Sequence, residues 1–570
     1  MRSTQRKRSI RIWLRTLGVL ALLGAAGCGP LTSGPFPAAN QPMHAPENVP
    51  VAVEQRALNQ PAQPCDNTFI AHDLPHTTTV PGDKVEMFEA NGAGVAINDL
   101  DRDGDLDLVL ANHRDPNSIL WNQSGLQFRA ERMEHGDSRA VNSVDVDGDG
   151  WLDLVFTRRM SAPNYWRNTG NQTGGAHFEL ELLPSIYKPA NAMNWADLDG
   201  DSDLDLIAGS YDAGLLADQG NSFLLGNGAG VYAYQNRGDS FGATRLAAKA
   251  QALAIALFDL DGDNGRDIVV GNDFGAYDQA WQQEAHAWVA TQPFSTTSHS
   301  TMSLDAGDID NDGSPELFST DMKPYSHDVE TLAIWRPLMA QMWEPTLKGD
   351  PQIAENTLQV RGVDRRFHNQ AYARGVDATG WSWSGKFGDL DNDGWLDLYV
   401  VNGMIEAEIF NYLPQHELVE ANQALRNDGG GYFTPRPDWN LGSTRSGRGM
   451  SMADLDGDGD LDIVVNNLRG AAQLFENRLC GGDGLEVDLR WPGSKNSHAI
   501  GATLALHTDS GTLYRDVRAA SGYLSGDPSR IHFGVPAGTA IGSLSVIWPD
   551  GKISTIEQPT PHTLLTLTRR

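Results

Sequence analysis

The stretch DLDRDGDLD, from Asp99 to Asp107, sets carboxylates at alternate positions and closes with another at the ninth place. Six further runs repeat the pattern: DVDGDGWLD from Asp145 to Asp153, DLDGDSDLD from Asp197 to Asp205, DLDGDNGRD from Asp259 to Asp267, DIDNDGSPE from Asp308 to Glu316, DLDNDGWLD from Asp389 to Asp397 and DLDGDGDLD from Asp454 to Asp462. Carboxylates this close repel one another, so a folded chain keeps them together only around a cation, and hard oxygen ligands in a flexible loop suit calcium. Magnesium is disfavoured because it wants compact octahedral geometry and keeps its water. The alternative without metal is a series of Asx-turns.

In such a loop, positions 1, 3, 5 and 9 offer carboxylates and position 7 a backbone carbonyl, while glycine at position 6 permits the sharp turn around the ion. The first site is then Asp99, Asp101, Asp103 and Asp107 with the carbonyl of Asp105. The second is Asp145, Asp147, Asp149 and Asp153, the third Asp197, Asp199, Asp201 and Asp205, and the fourth Asp259, Asp261, Asp263 and Asp267. The fifth is Asp308, Asp310, Asp312 and Glu316, the sixth Asp389, Asp391, Asp393 and Asp397, and the seventh Asp454, Asp456, Asp458 and Asp462. Up to seven calcium ions are expected. Ser202 and Asn264 replace the glycine in the third and fourth loops, and Glu316 after Pro315 replaces the closing Asp in the fifth. The longer glutamate is expected to shift the last ligand outward and leave the fifth site the weakest.

The flanks are short and rich in β-branched residues, as in Val95-Ala96-Ile97 before the first loop and Ile463-Val464-Val465 after the last, so they read as strands. An EF-hand is excluded, since it needs flanking helices and a bidentate Glu at position 12. Successive runs start 46 to 81 residues apart, the length of a unit of about four strands. Further strands end in Asn before a Gly-containing turn, at Asn122, Asn168, Asn236, Asn427 and Asn477, and Phe128, Phe178, Phe241 and Phe433 open the outermost strands. The units after Asp259 and Asp308 are less regular.

This unit resembles the FG-GAP or VCBS repeat of integrin α-subunit propellers and bacterial surface proteins. Seven such units imply an all-β fold, a seven-bladed calcium-binding β-propeller over residues 66–478. After it, Ala499-Ile500-Gly501-Ala502, Arg515-Asp516-Val517, Ser521-Gly522-Tyr523-Leu524-Ser525, His532-Phe533-Gly534 and Trp548-Pro549-Asp550-Gly551 resemble the ASPIC/UnbV module of the cartilage acidic protein family. The module is assigned to 479–570, and alternation at Val487, Leu489, Trp491, Leu504 and Leu506 suggests a small β-sandwich. Gly526 and Asp527 depart from the family, which carries glutamine after the serine.

Net charge is −31, and the seven runs alone hold 31 carboxylates, so the acidity is that of the metal loops and argues against nucleic acid as partner. At the N-terminus, basic residues from Arg2 to Arg15 precede an apolar stretch, Leu17 to Ala26, that reads as a secretory signal too short to span a bilayer. Leu23 to Cys28 resembles a bacterial lipoprotein cleavage site, with Cys28 lipidated after removal of 1–28; a soluble secreted protein is the alternative. Residues 29–65 are Pro-rich and are expected to form a tether. Outer-membrane or cell-surface attachment, with no other membrane contact, follows. Cys65 and Cys480 then remain, either as a disulfide joining the two ends of the repeat region or as free thiols.

The longest departure is an insertion at 325–374, with a helix over Leu332 to Met342 bent or broken at Pro337. Trp335 and Trp343 are either ligand-facing or caps on the core. No G-x-S-x-G, H-E-x-x-H or P-loop pattern occurs, and no catalytic residue is assigned. The expected protein is therefore a monomeric surface-binding or adhesion protein recognising a protein or glycan, stabilised by calcium. The alternative is a polysaccharide-active, lyase-like enzyme on a calcium propeller.

Overall fold

Each acidic run is the turn between the first two strands of an antiparallel sheet. In the first sheet Val95–Asn98 enters the loop, Asp107–Leu110 leaves it with Asp107 opposite Asn98, and Ser118–Asn122 and Phe128–Arg132 follow in order. The two inner strands are wholly buried, which is why they read as apolar runs and not as alternation. The computed structural model describes residues 47–171, 175–220, 229–263, 265–284, 287–342 and 350–570. Asn264, Trp343, the leader and Cys28 lie outside them.

Seven sheets of this kind follow one another, one for each loop. Phe128, Phe178, Phe241 and Phe433 do open the outer strands, and Phe367 does the same in the fifth sheet. The sixth sheet gains an edge strand, Met322–Lys323, beside Gly380–Gly388. The seventh takes its outer strand from the other end of the chain: Thr68–Thr77 pairs with Ala471–Arg478. At that closure Cys65 and Cys480 form a disulfide across 415 residues, with Cα atoms 5.2 Å apart.

Residues beyond the seventh sheet build a sandwich of two four-stranded sheets. In one, Asp483–Arg490 lies between Thr563–Arg569, to which it is parallel, and Ile531–Val535. The other runs in the order Gly511–Asp516, Thr503–Thr508, Ile541–Ile547, Ile553–Glu557. Leu485, Val487 and Leu489 pack with Leu504, Leu506, Leu544, Val546 and Trp548 in the core.

Two boundaries differ from the sequence reading. The tether does not reach 65: Val51–Ala57 is a strand on the sandwich, paired with Thr563–Arg569, because that sheet edge supplies the backbone partners a Pro-flanked segment lacks alone. The insertion is also shorter than 325–374, since the fifth sheet's own outer strands, Thr357–Arg361 and Phe367–Asn369, fall inside it. What interrupts the sheet is the connection from Ser319 to Thr357, including a helix, Val329–Met342, that runs on through Pro337.

Candidate metal centres and the face that covers them

In six of the seven loops the first carboxylate organises its turn. Asp145 accepts from the N–H of Gly148 and of Gly150, both at 2.9 Å; Asp197 accepts from Gly200 and Ser202, and Asp454 from Gly457 and Gly459. Position 6 is left-handed in the six loops where it is described, and Ser202 adopts φ 72° in the place of glycine. Position 4 is left-handed too, a requirement the sequence reading missed although Gly or Asn stands there in six loops of seven.

The ninth residue ties the loop to the rest of its sheet. Asp153 accepts from the N–H of Val146 at 2.9 Å and of Asn168 at 2.7 Å, and Asp107, Asp205, Asp397 and Asp462 do likewise with Asn122, Asn236, Asn427 and Asn477. Glu316 folds back to accept from Ile309 at 3.1 Å, the donor position that an aspartate uses elsewhere. Burial pushes Asp107, Asp153 and Asp205 up to about 8 and Glu316 up to about 9, with neighbouring carboxylates adding to the effect.

These loops fit a cation. Carboxylate oxygens of Asp99, Asp101 and Asp103 lie within 4.8 Å of one another, as do those of Asp145, Asp147 and Asp153, of Asp197, Asp199 and Asp205, of Asp259, Asp261 and Asp263, and of Asp308, Asp310 and Glu316. Buried oxygens of Asp99, Asp310 and Asp391 have no hydrogen-bond partner. A buried, unpaired carboxylate oxygen is costly in an apolar surrounding, and a bound cation removes that cost. The second and sixth loops each carry a competitor that the sequence reading overlooked: Arg167 reaches Asp147 at 2.5 Å, and Arg426 pairs with Asp391 at 2.6 Å and with Asp393. Each arginine directly precedes a strand-ending Asn, so its place was legible.

Those asparagines do more than end strands. Asn168 Nδ2 donates to the carbonyl of Leu152 in its own loop and to that of Leu100 in the preceding one. Asn236 reaches Val146, Asn427 reaches Ile309, Asn477 reaches Leu390, and Asn122 returns to Leu455 of the seventh loop. In the irregular units Gln283 reaches Leu198 at 2.9 Å and Arg361 reaches Asp259 at 2.6 Å. Every sheet is thus latched to its predecessor, and the latches close on themselves.

The acidic-loop end faces the sandwich. Ser497 donates to Asp145 at 2.5 Å, Lys495 pairs with Asp203 at 2.8 Å, and Arg266 pairs with Asp516 at 3.1 Å. Arg530 donates to the carbonyl of Gly104, while the His532 ring and the carbonyl of Gly459 lie 3.0 Å apart. From the sandwich the turn Ser521–Asp527 enters the middle of the ring. Gly522 exchanges backbone hydrogen bonds with Leu304, Leu524 accepts from Val141, Ala520 accepts from Asn194, and Gly526 accepts from Ser451. A Cβ at Gly94 would collide with the Leu524 carbonyl, so glycine is required there. Tyr523 is fully buried and donates to the carbonyl of Asn91. Asp527 sits between Lys386 and Arg518, the latter at 3.2 Å, and these cations hold it below the usual carboxylate range against its burial.

Three long connections lie at the opposite end, because each joins the second strand of a sheet to the third. They hold the helix Asp212–Gln219, the helix Val329–Met342 and the segment 403–422. Trp335 is not ligand-facing: it is 2% exposed and donates to Glu420 at 2.9 Å. Val329, Leu332 and Met339 are exposed on the same helix, and Tyr412 donates to the carbonyl of Ile334.

This geometry defines a nearly all-β protein, a β-propeller of FG-GAP-like repeats joined to an ASPIC/UnbV domain. The family described as FG-GAP-like repeat matches residues 145–208, 259–319 and 417–465, and the family described as ASPIC and UnbV matches 492–570. The chain is distantly similar to cartilage acidic protein 1: 24% identical to that of Mus musculus over 509 residues, covering 81% of this chain and 71% of the relative, and 23% identical to that of Homo sapiens over 513 residues, covering 81% and 69%. Among solved structures, the WD40 domain of Toxoplasma gondii coronin aligns with 11% identity and a TM-score of 0.38 over 74% of this chain and 89% of its own. Saccharomyces cerevisiae Sqt1 aligns with 11% identity and a TM-score of 0.38 over 72% and 99%.

Proposed function

We propose that the chain is an exported binding protein of adhesion type, a seven-bladed propeller held by up to seven calcium ions and anchored by a lipid on Cys28. One observation carries the binding role: the sandwich covers the acidic-loop end and its turn fills the axis, which leaves the end built by the three long connections for a partner. Exposed Val329, Leu332 and Met339 there suit a protein or glycan ligand. Calcium acts structurally, neutralising the loops that the sandwich rests on. The domain plan is leader 1–28, a tether ending near 47, a strand of the sandwich at 51–57, the propeller over 66–478 and the rest of the sandwich to 570.

The partner end is tested by probing protein and glycan arrays with the mature chain and with Leu332→Glu/Met339→Glu. Hits are expected to weaken at least tenfold in the double variant; hits of undiminished strength would place recognition elsewhere. Metabolic labelling with palmitate is expected to mark the wild type and not Cys28→Ala.

A further inference from the structure

A crevice of about 760 Å³ opens between the strand Val51–Ala57, the first two acidic loops and the sandwich edge. Arg56, Arg102, Arg490, Arg530 and His498 line it. Three of these are engaged: Arg490 with Asp488 at 2.6 Å, Arg530 with Glu486 at 3.4 Å, and the buried His498 ring with the Ser497 hydroxyl at 2.9 Å. Arg56 and Arg102 are exposed and have no ion pair among the described residues.

Arg102 is the odd residue of the repeat. It occupies position 4, where the other loops carry Gly148, Gly200, Gly262, Asn311, Asn392 and Gly457, and it holds φ 63°, a backbone that long side chains avoid. Its guanidinium lies 3.7 Å from the centre of the Trp151 ring, at position 7 of the next loop. Stacking fixes the plane of the group and leaves its edge N–H donors free. Arg490 lies near enough to repel it, and the loop carboxylates Asp149, Asp145 and Asp99 near enough to attract it. The chain thus keeps two unpaired guanidiniums at one opening of a protein whose net charge is −31.

The acidic groups on the rim divide into two kinds. Asp99, Asp103 and Asp149 belong to the candidate metal loops, where the calcium proposed above would neutralise them, whereas Glu54 and the Arg490-paired Asp488 remain as acceptors. Ser494, Ser497, Thr566 and Thr568 add hydroxyls. Such a space far exceeds a single inorganic anion, and its mixture of cations, acceptors and hydroxyls matches a hydroxyl-rich chain bearing oxyanions, while an acidic peptide would meet Glu54 and Asp488 with no hydroxyls to offer.

We infer that this crevice binds an acidic saccharide, gripping its carboxylate or sulfate groups with Arg56 and Arg102. The inference rests on the binding-protein reading and gives it a ligand class at a second location. Titration calorimetry of the mature chain in calcium buffer is run with oligogalacturonate, a heparin-derived hexasaccharide, neutral maltohexaose and poly-glutamate. One of the two acidic saccharides is expected to bind, the one that binds identifying the oxyanion, and Arg102→Gly and Arg56→Gln each weaken it at least tenfold. Arg102→Gly restores the residue type of the other loops, so its thermal transition should equal or exceed that of the wild type, which separates lost binding from lost folding. The inference is overturned if neither acidic saccharide binds, if Arg102→Gly binds as the wild type does, or if poly-glutamate or maltohexaose binds as tightly. Binding abolished by Leu332→Glu/Met339→Glu but unchanged in Arg102→Gly would overturn the crevice and leave the general binding role standing.

Discussion

The two ends of the propeller are built by opposite rules. At the acidic end, seven loops of one length lie against the sandwich, and in six of them the first carboxylate accepts from N–H groups of its own turn; at the other end three connections of different length carry helices and exposed apolar side chains. The regular end holds its elements in place and is covered by the sandwich except at the crevice beside the first two loops. The irregular end is left to vary, as expected of loops carried on a rigid scaffold.

Chelation breaks this comparison most sharply, since it acts on one end only. A site at a hundredfold ligand excess over its Kd contributes about 2.7 kcal/mol, so seven sites sum to roughly 19 kcal/mol and their loss lowers Tm by about 15 °C for a chain this long. Calorimetry in calcium and in excess EDTA measures it, and an unchanged transition would remove calcium from the account. The chelated protein also has a distinctive pH response. Its buried closing carboxyls sit near 8, as at Asp107 and Asp153, against an ordinary value of 3.8, so the folded state binds more protons than the unfolded between those limits. Without metal, stability is therefore fully present below about pH 4 and falls as pH rises towards 8. With calcium, which needs ionised ligands, stability rises over the same window.

Next in size is the plug. Asp527→Ala leaves Lys386 buried without a carboxylate, while Arg518 keeps Asp305 at 2.7 Å, and is expected to cost about 3–5 kcal/mol in chemical denaturation. Its effect also tests whether docking of the sandwich stabilises the ring. A loss under about 1 kcal/mol would make the turn a passenger, since that is no more than an exposed pair contributes.

The latches divide regular sheets from irregular ones. Asn168→Ala removes two donated bonds and the acceptor for Gly170 and His177, a loss of roughly 2–3 kcal/mol, whereas Gln283→Ala removes one half-buried bond and should cost about 1 kcal/mol. Equal losses at the two sites would mean that the ring is not closed by these contacts.

Much of the acidic end was legible because spacing alone places a ligand: alternate carboxylates of a nine-residue loop converge, three to a group in each of the first five loops, and the Asn and Phe that follow recur along the chain. Where offsets failed, the reading failed. Gln283 and Arg361 perform the Asn role with different chemistry, so the fourth and fifth sheets looked irregular although their topology is the common one. The strand Val51–Ala57 was hidden because its partner lies more than 500 residues away in the chain, and no local pattern announces that pairing. Docking of the sandwich on the loops was invisible for the same reason: Ser497 and Asp145 meet only in three dimensions.

The smallest effect tests the loop geometry itself. Ser202 holds φ 72° where five other loops carry glycine, and left-handed backbone costs an L-residue about 1–2 kcal/mol. Its contribution to docking is made by the carbonyl, which accepts from Asn496 at 2.9 Å and from the Ser494 hydroxyl at 3.1 Å, and a glycine keeps that carbonyl. Ser202→Gly should therefore relieve strain without loosening the sandwich. The glycine also has more conformational freedom to lose on folding, which takes back about 0.5–1 kcal/mol, so the net gain is roughly 0.5 kcal/mol. Denaturant midpoints with and without calcium measure it. A loss of stability in calcium alone would mean that the serine hydroxyl serves the ion and that the third loop binds by a rule the other six do not share.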